Sequence, residues 1–304
     1  MLSWLIGTSL GFAGDIFEPK STGDEAYAET FTAFADFEDG SYALLQFIFT
    51  NAGFGDGKAG CRLLTVPKGS AGNNSSINVG SSEWSHSPNQ LNVSDCSLSS
   101  ANGRTTFVAK TKSGSAQLIF KSSPKRHVPP KPKLTAGGEF WEGDLLIPFA
   151  SVTATVNGKS MVGKAQLDHT RSNTLLPKVS KRWIRFRGFY GTEAIMLQIH
   201  EAPNGKQNAW VLYKGQFSEI AASDIQLTKA DSSGVVITAK TAHGELSVQT
   251  SSKIYEYRPT ESYGALGSLA QPWIGNPVTT TWRAQSVLAG SDIKGLVEVA
   301  AITD

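Results

Sequence analysis

Three Asn-Gly pairs, at 102–103, 157–158 and 204–205, constrain this chain more than any other feature. Asn and Gly tolerate the positive φ angles of tight hairpin loops, so each pair predicts a reversal between antiparallel strands. Asp39-Gly40, Ser113-Gly114, Ser233-Gly234 and His243-Gly244 add turn signals of the same kind. Between these turns the residues alternate apolar and polar or form short β-rich runs, without helical spacing. Strands are expected over 28–37, 41–51, 60–66, 104–110, 115–121, 144–156 and 160–169. The second half adds 181–189, 193–201, 208–213, 234–240, 245–250, 253–258, 279–289 and 294–302.

An open sheet of so many strands would expose its edges, so the strands must close into barrels or stack. A parallel α/β arrangement is excluded, because no helical crossover of sufficient length is present. At 304 residues the chain suits two domains. The expected division is 20–176 and 177–304, because the polar, turn-prone stretch 172–179, with Pro177, follows one strand and precedes RWIRFRGFYG. The proline-rich, basic segment 124–132 is expected to be a long surface loop within the first domain. No internal repeat is detectable at a fixed period.

Charge narrows the partners. Lys plus Arg is 28 and Asp plus Glu is 26, so the net charge of +2 gives no field for steering onto nucleic acid. Residues 1–13 are apolar but fall short of the roughly 20 needed to cross a bilayer, so no transmembrane segment is expected. They resemble a signal peptide in length and lack its basic start, and are read as a hydrophobic segment packed on the body. Cytoplasm is the expected compartment, with periplasm or secretion the alternative. Cys61 and Cys96 are the two cysteines, and neither has neighbours at metal-ligand spacing. A disulfide between neighbouring strands and two inert buried thiols both remain open.

Standard catalytic and nucleotide signatures are absent, and no cofactor or metal is expected. The histidines at 86, 127, 169, 200 and 243 are scattered. One region concentrates ionisable groups: GKAQLDHTRS at 163–172, followed by KRWIRFRGF at 181–189. Strand alternation puts Gln166, Asp168 and Thr170 on one face and Leu167, His169 and Arg171 on the other. In the second strand Trp183, Arg185 and Arg187 oppose Arg182, Ile184 and Phe186. Such groups are costly to bury unpaired, so they form a structural network, face solvent, or make the polar end of an apolar pocket.

The stretches AYAETFTAFADFEDGSYALLQFIFTN, AGCRLLTV and LNVSDCSLS resemble the opening of the fungal survival-factor family of two-domain lipocalin-like proteins, implicated in carrying ceramide. AQLDHTRSNTLLPKVSKRWIRFRGF is similar to that family's strand ending in His, short turn, then Arg-Trp. The same architecture is shared by AttH-like proteins, carotenoid 1,2-hydratases and related cyclising enzymes. Their Tyr-His-Asp-His hallmark falls on Gln166, Leu167, Asp168 and His169, so half of it is replaced here. The resemblance implies an all-β chain of two lipocalin-like antiparallel β-barrel domains.

Two functions are compatible with it, and a third, a purely structural or adaptor role, is favoured if both barrel interiors are filled with side chains. In the first, a barrel cavity or the domain junction holds a hydrophobic small molecule such as a lipid or isoprenoid, with Arg171, Arg182, Trp183 and Arg185 at its polar end. Transient membrane contact is compatible with such a carrier. The alternative is a cofactor-free hydratase, isomerase or cyclase acting on a polyene, with Asp168 as proton donor or as the group orienting His169.

Overall fold

The computed structural model describes residues 15–51, 56–131, 133–231, 233–258 and 276–303. The apolar segment 1–13 lies outside them. The first sheet takes β1 (Ala28–Phe37), β2 (Tyr42–Thr50), β3 (Lys58–Val66), β4 (Asn73–Val79), β5 (Trp84–Ser87) and β6 (Gln90–Val93). It continues with β7 (Cys96–Ala101), β8 (Arg104–Thr111), β9 (Gly114–Phe120), β10 (Lys133–Ala136), β11 (Glu139–Val156) and β12 (Lys159–Ser172). A single-turn helix, α1 (Leu176–Val179), precedes the second sheet. That sheet holds β13 (Arg182–Tyr190), β14 (Glu193–Glu201), β15 (Gln207–Tyr213), β16 (Gln216–Ile220) and β17 (Ile225–Asp231). It ends with β18 (Gly234–Thr241), β19 (Gly244–Tyr257), β20 (Asn276–Leu288) and β21 (Ser291–Thr303).

Both sheets are antiparallel and curl into barrel-like domains, as expected. They also share one plan. The order β4-β3-β2-β1-β12-β11-β9-β8-β7 recurs as β16-β15-β14-β13-β21-β20-β19-β18-β17, while β6 and β5 extend the first sheet and β10 pairs with β11. In each domain the first strand pairs with its last, and a glycine marks the closing pair. A Cβ on Gly163 would lie 2.3 Å from the Asp36 carbonyl oxygen, and one on Gly295 would lie 2.2 Å from that of Arg187. Only glycine allows the closing strand to approach so closely.

The Asn-Gly turns at 102 and 157 have positive φ at both residues, as tight hairpins require. Asn204-Gly205 sits in a longer loop, where the Asn204 side chain accepts from the Lys206 N–H at 3.0 Å. Lys214-Gly215 and Ala289-Gly290 adopt the same doubly positive φ without the usual Asn. Strands β4, β5, β6, β7, β10, β16 and β17 were not among the expected strands. β4 reads NNSSINV, exposed or half-buried throughout, so it shows no apolar stripe. The expected strands 245–250 and 253–258 are one strand, β19, interrupted by register shifts.

The inward faces are filled. In the first barrel Phe31, Phe47, Phe107 and Phe120 are fully buried in one cluster with Leu45, Leu98 and Leu167. Phe47 and Phe107 meet at 4.8 Å between ring centroids. Cys61 on β3 and Cys96 on β7 are bridged across this interior. The second barrel packs Ile184, Phe186, Leu197, Val211, Ile237 and Trp282. Large side chains thus occupy the space expected for a ligand within a barrel.

Candidate functional site at the junction of the two sheets

β1 and β2 are buried along most of both faces, because their outer sides are covered by the second sheet. Two apolar contacts seal the joint. Phe34, Tyr42, Leu44, Leu64 and Val66 meet Leu296, with Ile254 and Tyr255 against them. Leu145, with Phe149 against it, meets Ala194, Met196, Trp210 and Leu212. Arg283 on β20 adds an ion pair to Asp36 and donates to the Gly40 carbonyl at 2.7 Å. Residues 124–131 follow β9, and Lys131 pairs with Glu219 of the second sheet at 2.6 Å.

Asp168 projects from β12 into the middle of this joint and is only 2% exposed. Its Oδ2 accepts from Arg185 Nη1 at 2.5 Å and from Arg187 Nη2 at 3.2 Å. Arg185 also donates from Nε to Gln198 Oε1 at 2.9 Å. Burial pushes the Arg185 guanidinium below its ordinary value, and the Asp168 charge opposes that shift. The Arg187 guanidinium lies 3.6 Å from the centroid of the Phe34 ring. Asp168 Oδ1, by contrast, is buried and accepts no hydrogen bond, and Trp183 Nε1 donates none. A buried polar atom without a partner is costly, so these two atoms mark where something else can bind.

Beside them lies a cavity of about 430 Å³, whose lining includes Asp168, Arg185, Trp183, Trp141, Phe34 and Tyr257. The strand registers set two polar rows along its walls. On the first sheet Asp168, Thr32, Gln46 and Arg62 are cross-strand partners in succession. On the second, Arg185, Glu298, Thr281 and Tyr255 follow one another in the same way. Asp168 meets Arg185 at one end of the paired rows, and Arg62 lies beside Tyr255 and Tyr257 at the other. Two register shifts just before Tyr255 re-aim that end of β19 toward the first sheet. Trp141 and Trp183, one from each domain, pack at 5.7 Å between ring centroids.

The predicted site residues therefore separate. Asp168, Arg185 and Trp183 line the cavity together. Arg171 also reaches the lining, although its guanidinium is bound to Glu142 on the barrel rim. Arg182 does not join them: it pairs with Glu201 at 2.5 Å and donates to the Ala230 carbonyl at 2.9 Å. His169 points into the first barrel, where Nε2 lies 2.6 Å from Glu29 Oε1 and the ring stacks on Phe31 at 4.7 Å. Asp168 cannot orient it, because the ring's carboxylate partners are Glu29 and Asp144.

Glu29 is fully satisfied, with further hydrogen bonds from the Tyr27 hydroxyl and the Lys20 N–H. Burial opposes charge on both members of the pair. Even so, hydrogen bonds to Asp144 and Glu29 raise the His169 pKa, and those from His169 and Tyr27 lower that of Glu29. Among the described residues no group of three or more His, Cys, Asp and Glu could hold a metal, and no helix is long and apolar enough to cross a membrane.

Solved structures share this fold. The AttH-like protein of Nitrosomonas europaea superposes with a TM-score of 0.69 at 12% identity over 100% of both chains. The likeness is one of fold. CghA in complex with Sch210972 gives a TM-score of 0.60 at 13% identity over 91% of this chain and 88% of that one. Kievitone hydratase of Nectria haematococca gives 0.54 at 9% identity over 91% and 89%. No family model matches the chain, and no curated protein matches it significantly.

Sequence reasoning missed Arg62, Gln46, Trp141, Glu298, Tyr255 and Tyr257. A signal was present in TFTAFADF and YALLQFIF, where apolar residues fall on both faces and imply that the outer side is covered.

Proposed function

We propose that the junction cavity binds a hydrophobic small molecule such as a lipid or isoprenoid. The carrying observation is a volume of about 430 Å³, within the range of ligand sites, whose wall combines Phe34, Leu44, Leu64, Trp141 and Trp183 with polar residues that include Asp168, whose Oδ1 is unpartnered. Binding energy would come from covering apolar surface, and orientation from the Asp168–Arg185 end. Extraction of the purified protein with organic solvent and mass spectrometry is expected to release a stoichiometric lipid or isoprenoid. Apolar probes are expected to quench tryptophan fluorescence less in Trp183→Phe. Absence of both an extracted ligand and quenching in the unaltered protein would rule the reading out.

A second reading, cofactor-independent hydration, isomerisation or cyclisation of a polyene, draws support from the fold shared with kievitone hydratase and CghA. Trp141 and Trp183 would press the substrate into a folded conformer or stabilise a developing cation, and Asp168 Oδ1 would meet its reacting end. His169 has no part in this version. Asp168→Asn is expected to abolish product formation while leaving affinity intact.

We also propose that the domains divide at 176–177, within α1. The Cys61–Cys96 bridge favours the periplasmic or secreted alternative, since disulfides persist in oxidising compartments.

A further inference from the structure

We infer that the ligand is two-headed, with a carboxylate or acidic enol held by Arg62 and a hydroxyl or amide N–H donated to Asp168. This rests on the binding reading above and names the chemical class it accepts. Arg126, Arg171, Arg182, Arg185, Arg187 and Arg283 each pair with a carboxylate. Arg62 lines the same cavity and pairs with none among the described residues. Its Nε donates to Asn74 Oδ1 at 2.8 Å, and its guanidinium lies 3.8 Å from the Tyr257 ring centroid. These contacts orient the planar group and leave its charge uncompensated. A guanidinium held this way suits a carboxylate, which it can bind through two parallel hydrogen bonds.

The other head follows from Asp168. Its Oδ2 is occupied by two arginines, so Oδ1 is left for a donor, and a second anion there would be repelled by the carboxylate. The spacing between heads comes from the register. Arg62 and Asp168 stand at opposite ends of a four-residue row, three inter-strand steps apart. At about 4.8 Å per step the row spans roughly 14 Å, comparable to an extended decanoate chain. Between the ends, Thr32 and Gln46 are already bonded to each other at 2.9 Å, while Phe34, Leu44 and Leu64 supply apolar wall. Glu298 and Thr281 stand on the facing row, so the apolar part of the ligand lies along Phe34, Leu44 and Leu64.

The test uses the full-length protein with decanol, decanoate and decanoate carrying a terminal hydroxyl, read by calorimetry and tryptophan quenching. Decanoate is expected to bind about tenfold to a hundredfold more tightly than decanol, and the terminal hydroxyl to tighten binding further. Arg62→Gln should bring decanoate down to the affinity of decanol, with decanol itself changing far less than decanoate. Arg62→Lys should fall between, and circular dichroism should report folded protein for both variants. If decanoate and decanol bind the unaltered protein equally, or Arg62→Gln weakens both alike, the inference fails and the apolar site survives. If none of the three binds, the cavity reading fails with it.

Discussion

Asp168 and His169 are adjacent in β12 and serve opposite sides of it, and the contrast between those sides separates architecture from recognition. Inside the barrel, Glu29 receives hydrogen bonds from Tyr27, from His169 and from the Lys20 backbone, so its charge is answered by the chain itself. At the joint, Asp168 is answered on one oxygen and left open on the other, beside a cavity. Complete satisfaction rigidifies a fold, whereas a buried group with a spare valence is a place for an outside molecule. The histidine that resembled a family's catalytic residue is bound within the first barrel, and its neighbour faces the cavity.

The sharpest way to break this contrast is Asp168→Ala. It strands two buried guanidinium groups and should cost about 3–5 kcal/mol in urea unfolding. Asp168→Leu combined with Arg185→Met and Arg187→Met should recover most of that loss yet fail to restore ligand binding, since recognition needs a hydrogen-bond acceptor at this position. Removing the disulfide with Cys61→Ala and Cys96→Ala opens a loop whose ends are 35 residues apart. It should cost about 4 kcal/mol on a chain-entropy basis, with ligand affinity unchanged. Glu29→Gln should cost about 2 kcal/mol and also leave ligand affinity unchanged.

The pH dependence gives the smallest effect and separates the two sides most directly. His169 is raised above 6.5, so its stabilisation is complete below that pH and is lost as pH rises through the folded value. Glu29 is lowered from 4.5, so its contribution is present above that pH and is lost as pH falls through its folded value. The interior network thus favours the window between them. Melting temperatures followed from that window to pH values above the folded value of His169 should show an alkaline decline that Glu29→Gln flattens.

The all-β architecture was legible because turn chemistry and alternation are local, and Asn102-Gly103 and Asn157-Gly158 make their reversals wherever they occur. The opposition of Asp168 to His169 was legible for the same reason. What alternation cannot state is which face looks inward, so the sequence left a barrel cavity and the domain junction both open, and the candidate cavity lies at the junction. Arg182 illustrates the error: it precedes Trp183 in the chain but points to the opposite side, toward Glu201. Arg62 and Tyr255 are 193 residues apart and meet only after both sheets have folded and packed. The repeated strand order was hidden because matched positions hold opposite chemistry. Asp36 in β1 and Arg187 in β13 each lie against the glycine of their own closing strand.

The cavity takes one wall from each domain, and this gives any occupant a mechanical role. A molecule lodged there would act as mortar between two masonry faces, touching both halves at once. Its departure would weaken their adhesion as well as empty a site, so occupancy and the cohesion of the whole chain would rise and fall together.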